Sequence, residues 1–164
     1  MQAITDTKHL TVQTLPPILV LTGEDVGQFE WLKKDILKKI GYDPSDLNYS
    51  YFDMKEASYA EVELDLVSLP FFADEKIVIL DHLLDVTTAK KRNLTDEDLK
   101  QFENYLENPS ESTRLVIFAE GKLDSKRRLV KLLKRDAQII EATTPKEQDL
   151  KRYFASQAQE LGIQ

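Results

Sequence analysis

The segment best equipped for chemistry is the first glycine-bearing turn, Gly23-Glu24-Asp25-Val26-Gly27-Gln28-Phe29-Glu30, which follows the apolar run Ile18-Leu19-Val20-Leu21. A turn between a buried strand and a helix is where backbone amides can cradle phosphate. A working phosphate loop reads Gly-x4-Gly-Lys-Ser/Thr, its lysine neutralising the phosphates and its hydroxyl holding magnesium. Gly23 and Gly27 supply glycines here, but no lysine or hydroxyl stands at the required place. Glu24, Asp25 and Glu30 instead put negative charge where a triphosphate needs positive charge, and like charges repel. The turn reads as a degenerate, non-binding phosphate loop, and no cofactor is expected.

The next candidate is Asp81, which ends the run Lys76-Ile77-Val78-Ile79-Leu80. Such a strand carries the magnesium-holding aspartate of a Walker B site, but His82 stands where a catalytic glutamate usually follows. Asp81 is therefore expected as a strand-end cap or a surface carboxylate, without a metal. The chain has no cysteine and only His9 and His82 for a histidine-based triad. His9 falls in an irregular leader, and His82 reads as a strand-end residue making one hydrogen bond. Among 29 acidic residues chance pairs are common, and none stands out. No catalytic residue is assigned.

Two other segments carry recognition rather than reaction chemistry. Leu69-Pro70-Phe71-Phe72 breaks a helical pattern. Both rings could be core; alternatively, since adjacent side chains in a turn point in different directions, a proline-stiffened turn presents one or both as an anchor for a partner's pocket. Further on, Lys122, Lys126, Arg127, Arg128, Lys131, Lys134 and Arg135 crowd together, opposed by Asp124. A solvated face over Leu129, Val130, Leu132 and Leu133 is the favoured reading. The functional alternative is a local, salt-sensitive contact of Lys126, Arg127, Arg128 and Lys131 with DNA or an acidic neighbour.

These segments sit in an alternation of elements. Strands are expected at 18–21, 48–53, 76–80, 114–119 and 137–141, and helices at 29–40, 59–67, 96–106 (with Thr95 as N-cap) and 124–135. Alternating strand and helix is the pattern of an α/β fold with a parallel five-stranded sheet covered by helices on both faces. After Thr143-Thr144-Pro145, the residues Leu150, Tyr153, Phe154, Ala158 and Leu161 recur at helical spacing. Residues 1–143 are thus expected to form one domain, and 144–164 to begin a second, helical domain that the chain truncates. The 164 residues are 41% hydrophobic and 31% charged, a globular balance. The absence of cysteine points to a reducing, cytoplasmic compartment. No apolar run reaches the ~20 residues that span a bilayer, so no membrane partner is expected. The net charge of −7 argues against nucleic acid as the main partner.

Three segments, in order, give the chain a family resemblance: Leu21-Thr22-Gly23-Glu24-Asp25; Ser68-Leu69-Pro70-Phe71-Phe72 with the strand 76–80 behind it; and Gly121-Lys122-Leu123-Asp124-Ser125-Lys126-Arg127-Arg128-Leu129. Over essentially its whole length the chain resembles the N-terminal domain of the delta subunit of bacterial DNA polymerase III clamp loaders, of the Gram-positive type. The resemblance implies an AAA+-like fold that binds no ATP, in a non-catalytic subunit of a DNA-directed DNA polymerase (nucleotidyltransferase) holoenzyme acting in DNA replication. It implies a hydrophobic plug at Leu69, Pro70, Phe71 and Phe72 that enters a pocket on the sliding clamp (beta subunit) and helps open the ring. Phe71 stands where the family often has leucine, which keeps the plug apolar. Other clamp-loader subunits would be met mainly through C-terminal domains beyond Gln164, and DNA indirectly or by weak local contact. Two rival readings are a generic protein-interaction domain on a dead phosphate-loop fold and a divergent nucleotide-dependent enzyme.

Overall fold

The computed structural model describes residues 10–70 and 74–142. Five strands, β1 (Ile18–Gly23), β2 (Tyr49–Asp53), β3 (Lys76–Asp81), β4 (Thr113–Glu120) and β5 (Gln138–Ala142), form one sheet in the order β2-β3-β4-β1-β5. Every pairing is parallel. Between them run α1 (Val26–Lys39), α2 (Tyr59–Val67), α3 (Asp96–Glu107) and α4 (Arg128–Asp136), with a short 3-10 turn at Leu84–Val86.

The period-two alternation of the strands divides the core into two layers. Leu19, Leu21, Ile77, Ile79, Val116 and Phe118 pack against Phe29, Leu32 and Ile36 of α1 on one face. Val20, Val78, Leu80, Leu115 and Ile117 meet α2, α3 and α4 on the other. The central strands are buried on both sides, which is why they read as unbroken apolar runs. The expected architecture, with helices on both faces, is the one observed.

Local signals fixed most helix starts. Ser58 caps α2, its hydroxyl accepting the Glu61 amide. Thr95 and Asp98 form a reciprocal capping box on α3, whose acidic first turn suits the helix dipole. The basic helix begins at Arg128 rather than at 124. The Asp124 carboxylate instead accepts the Lys126 amide and the Arg127 guanidinium, a local pattern that competes with helix. The leader is also more integrated than expected, since Leu10 and Leu15 are buried in the layer beside α1.

The sheet has two poles. The C-terminal strand ends place Gly23 beside Glu120 and Asp53 beside Asp81. At the N-terminal pole Lys76 starts β3 beside Thr113. The degenerate phosphate loop lies at the first pole, and the α2–β3 connection with its Leu69-Pro70 lies at the second.

Candidate functional site

At the C-terminal pole the turn from β1 to α1 is closed by the chain itself. Gly23 has φ +129°, and a Cβ there would fall 1.9 Å from the Ala142 carbonyl oxygen. Its amide donates to the Gly121 carbonyl at 2.8 Å and its carbonyl accepts from Gly121 at 2.7 Å. The Thr22 hydroxyl donates to the same Gly121 carbonyl. Between Gly23 and the first helical residue only Glu24 and Asp25 remain. The Asp25 amide donates to the Ala142 carbonyl, and its carboxylate accepts the Gln28 amide at 3.0 Å. Asp25 thereby places a carboxylate on an amide of the helix start, where a phosphate would bind. Around Gly27 the packing is open, as a Cβ there would touch only the Asp25 carboxylate at 3.7 Å. The residues present do not fit a nucleotide.

Asp81, expected as a cap or surface carboxylate, is 3% exposed and is a buried ion-pair partner. Lys33 of α1 places its ammonium 2.5 Å from Oδ2. The Tyr51 hydroxyl donates to the same oxygen, and Oδ1 accepts the His82 amide at 2.8 Å. Burial, reinforced by the Asp81 carboxylate, pushes the Tyr51 phenol well above its ordinary range, so it stays a donor. A positive ammonium thus occupies the oxygen at which a metal would be expected. His82 turns the chain with φ 59° and sets Nδ1 2.9 Å from Asp53. That contact helps hold the Asp53 carboxyl below the usual range, behind the larger effect of the Lys55 amide. Among the described residues, no group of three or more acidic or histidine side chains is placed to hold a metal.

At the N-terminal pole a charge is again buried, but here apolar groups face out. Helix α2 buries Tyr59, Val62 and Leu66 on its inner face. On the outer side Leu64 is 71% exposed and Val67 59%, and Leu69 just beyond the helix is 77% exposed. Pro70 is half-buried, and Phe71 and Phe72 lie outside the described residues. Under this apolar end sits Lys76, 4% exposed. Its ammonium donates to the Asp65 carbonyl and to the Ser68 hydroxyl at 2.6 Å, and lies 3.2 Å from the Asp65 carboxylate. The Thr113 hydroxyl donates to the neighbouring Leu66 carbonyl at 3.2 Å. A cation on the last carbonyls of a helix is favoured by its dipole and removes orphan acceptors. Lys76 therefore fastens the end of α2 to the start of β3, closing the base of the segment between Ser68 and Lys76.

The basic residues divide into committed and free. Arg127 pairs with Asp124, Arg128 with Glu103 and Glu107, and Arg135 with Glu107 and Asp136. Lys126 and Lys131 are exposed and make no ion pair among the described residues. Sequence reasoning did not find Lys33 or Lys76, whose partners are remote or on another element. Leu64 and Val67 left a usable signal, since Tyr59–Val67 is apolar on more than one side.

Residues 19–143 match the family described as DNA polymerase III, delta subunit. Among curated proteins the chain is similar to DNA polymerase III subunit delta of Bacillus subtilis (strain 168), with 29% identity over 137 residues, 82% of this chain and 40% of that protein. Among solved structures it is similar to the Bacillus subtilis DNA clamp loader delta protein, with a TM-score of 0.74 and 23% identity over 97% of this chain and 47% of that one. It is also similar to a DNA polymerase III gamma subunit-related protein of Thermotoga maritima, with a TM-score of 0.54 and 15% identity over 90% and 47% of the two chains. At those identities the two structures establish the fold, that of AAA+-like clamp-loader proteins. The chain spans less than half the length of each of these relatives.

Proposed function

Because the chain belongs to the DNA polymerase III delta-subunit family, an accessory-subunit family of the polymerase, we propose that this domain binds the sliding clamp through the end of α2. Leu69, Pro70, Phe71 and Phe72 form the plug, with Leu64 and Val67 as the apolar shoulder beside it. The observation that carries the reading is the exposed Leu64, Val67 and Leu69 at a helix end fastened by Lys76. Exposed apolar groups on a fixed frame are what a partner's pocket rewards, because little freedom is lost on docking.

The mechanism is differential binding. If plug and shoulder fit the strained, open clamp better than the closed ring, that difference in affinity shifts the ring toward opening. The domain then acts without catalysis or nucleotide of its own. Residues 144–164, which lie outside the described residues, are read as the start of a helical second domain, with further domains joining the chain to its companion subunits in the cytoplasmic replisome. Lys126 and Lys131 remain free for a polyanion or an acidic neighbour, whereas Arg127 and Arg128 are occupied within the fold.

The test is calorimetric titration with the clamp of the same organism, using wild type and a Phe71→Ala/Phe72→Ala variant of unchanged circular dichroism. Wild type binds, and the variant loses at least ~2 kcal/mol, the scale of a hot-spot truncation. Equal binding by both would sink the plug assignment, and no binding by either would sink the clamp reading.

A further inference from the structure

The sheet ends in two edge strands, β2 and β5, and the two are finished differently. Among the described residues, neither pairs with a strand on its outer side. β5 carries the exposed Gln138 and Glu141, and a charged side chain on an edge discourages the approach of another strand. β2 reads Tyr49-Ser50-Tyr51-Phe52-Asp53, is half-buried at every position and carries no charge before its last residue. Its register with β3 is unbroken, and it holds no lysine or proline to blunt it.

The hydrogen bonds around β2 show which backbone groups are open. The Asn48 carbonyl accepts the Ile77 amide, and the Met54 amide donates to the Asp81 carbonyl, both at 2.9 Å. Successive residues of a strand turn their backbone groups to opposite sides, so Asn48, Ser50, Phe52 and Met54 face β3 and Tyr49, Tyr51 and Asp53 face outward. The Tyr49 amide is engaged by the Asp46 carbonyl, and the Asp53 carbonyl by the Glu56 and Ala57 amides. The Tyr49 carbonyl, the Tyr51 amide and carbonyl and the Asp53 amide are left as a row. Aromatic rings stand beside it. Tyr42 packs against Tyr49 and Tyr51, with ring centroids 5.9 and 5.5 Å apart. The Tyr49 hydroxyl donates to the Ile40 carbonyl and the Tyr51 hydroxyl to Asp81, so what these residues offer to a partner is ring. Leu47, 63% exposed, leads into the strand.

We infer that the outer edge of β2 takes an extended, positively charged segment of a partner protein as an added strand. Main-chain hydrogen bonds to Tyr49, Tyr51 and Asp53 hold the segment, and its alternate side chains meet the tyrosine wall. β-branched residues fit such a pleated, half-buried surface best. Charge sets the sign of the partner. Residues 42–57 hold Asp43, Asp46, Asp53 and Glu56 against Lys55, a formal charge of −3. Asp43 and Asp46 make no ion pair among the described residues, so both are open to a cation. Two such edges repel each other, within chains of −7, which makes a second copy of this chain the poorer occupant. The inference uses no residue of the proposed clamp contact, so either can fail without the other.

The probe is a fluorescein-labelled synthetic peptide, Lys-Arg-Val-Thr-Val-Thr-Val-Arg-Lys, titrated with the whole chain and read by anisotropy. It binds, and a peptide with glutamate at every lysine and arginine binds roughly tenfold more weakly or worse. N-methylation of either the valines or the threonines separates strand pairing from general attraction. One of the two sets weakens binding by about tenfold or more, and the other by less than about threefold. Asp43→Asn/Asp46→Asn, whose side-chain oxygens can still accept the Ser45 and Asn48 amides, weakens binding by about threefold or more. Amide exchange followed by NMR slows at Tyr51 and Asp53 when the peptide binds and is unchanged across β5. No binding, equal effects of the two methylation patterns, or protection at β5 instead of β2 overturns the inference. A dimer of the chain, seen by light scattering and dissociated by the peptide, overturns it in favour of pairing between copies.

Discussion

The two ends of the sheet have met opposite fates. At the C-terminal ends of the strands, groups that could receive a phosphate or a metal are engaged from within: the Asp25 carboxylate sits on the Gln28 amide of α1, and Lys33 and Tyr51 sit on Asp81. At the N-terminal ends the polar groups are again satisfied internally, by Lys76, but the apolar side chains Leu64, Val67 and Leu69 are left facing solvent. A site can thus be silenced by filling it with its own side chains, and a new one can be built by leaving hydrophobic area unfilled on a rigid base. Unfilled area is the more costly state for the free chain, so a partner is the natural explanation for it.

Substitutions at each end sharpen the contrast. The largest effect is expected at the closed end, from Gly23→Ala. Its Cβ would collide with the backbone of Ala142, and φ +129° is strained for any side chain. Urea unfolding is expected to show a loss of more than ~3 kcal/mol, or no folded protein. A well-folded variant of near wild-type stability would break the picture of a turn closed onto β5.

Next is Asp81→Ala, which leaves the Lys33 ammonium and the Tyr51 hydroxyl unpaired in a largely buried setting. A loss of roughly 3 kcal/mol is expected, with the Tyr51 phenol titrating lower once the carboxylate that helps raise it is gone. Ultraviolet titration of the tyrosines reads that shift directly. If stability is unchanged, the buried pair is not what holds this end shut.

The smallest effect on folding, and the most informative about the open end, is that of Lys76→Met. It keeps the apolar stem but removes the ammonium from the Asp65 carbonyl and the Ser68 hydroxyl. A stability loss of about 1–2 kcal/mol is expected. Clamp affinity should fall more than this loss explains, because the fold stays intact while the base of the plug segment loosens. Clamp affinity equal to wild type would show that the end of α2 needs no fastening.

The sheet was legible in the sequence because parallel strands covered on both faces must be apolar throughout, as Ile18–Leu21 and Ile77–Leu80 are. Helix starts were legible where a cap is local, as at Thr95. The start of α4 was misplaced because Asp124 spends its carboxylate on a turn, a choice that composition alone does not reveal. The failure of the phosphate loop could be read from missing residue types. How it is closed could not, since Lys33 and Asp81 meet only after β1, α1 and β3 have assembled. Lys76 looked like an ordinary charged strand start, and only its burial against α2 gives it a role. The proposed plug at Phe71 and Phe72, which lie outside the described residues, rests on the family resemblance, supported by the exposure of Leu64, Val67 and Leu69 that lead into it.

Hydrogen exchange measured by mass spectrometry, with and without the clamp, puts the contrast between the two ends to its most direct test. The account predicts clamp-dependent protection across residues 64–72 and unchanged exchange across 22–28, with MgATP altering neither. Protection at 22–28 on adding MgATP, or none at 64–72 on adding the clamp, would contradict it.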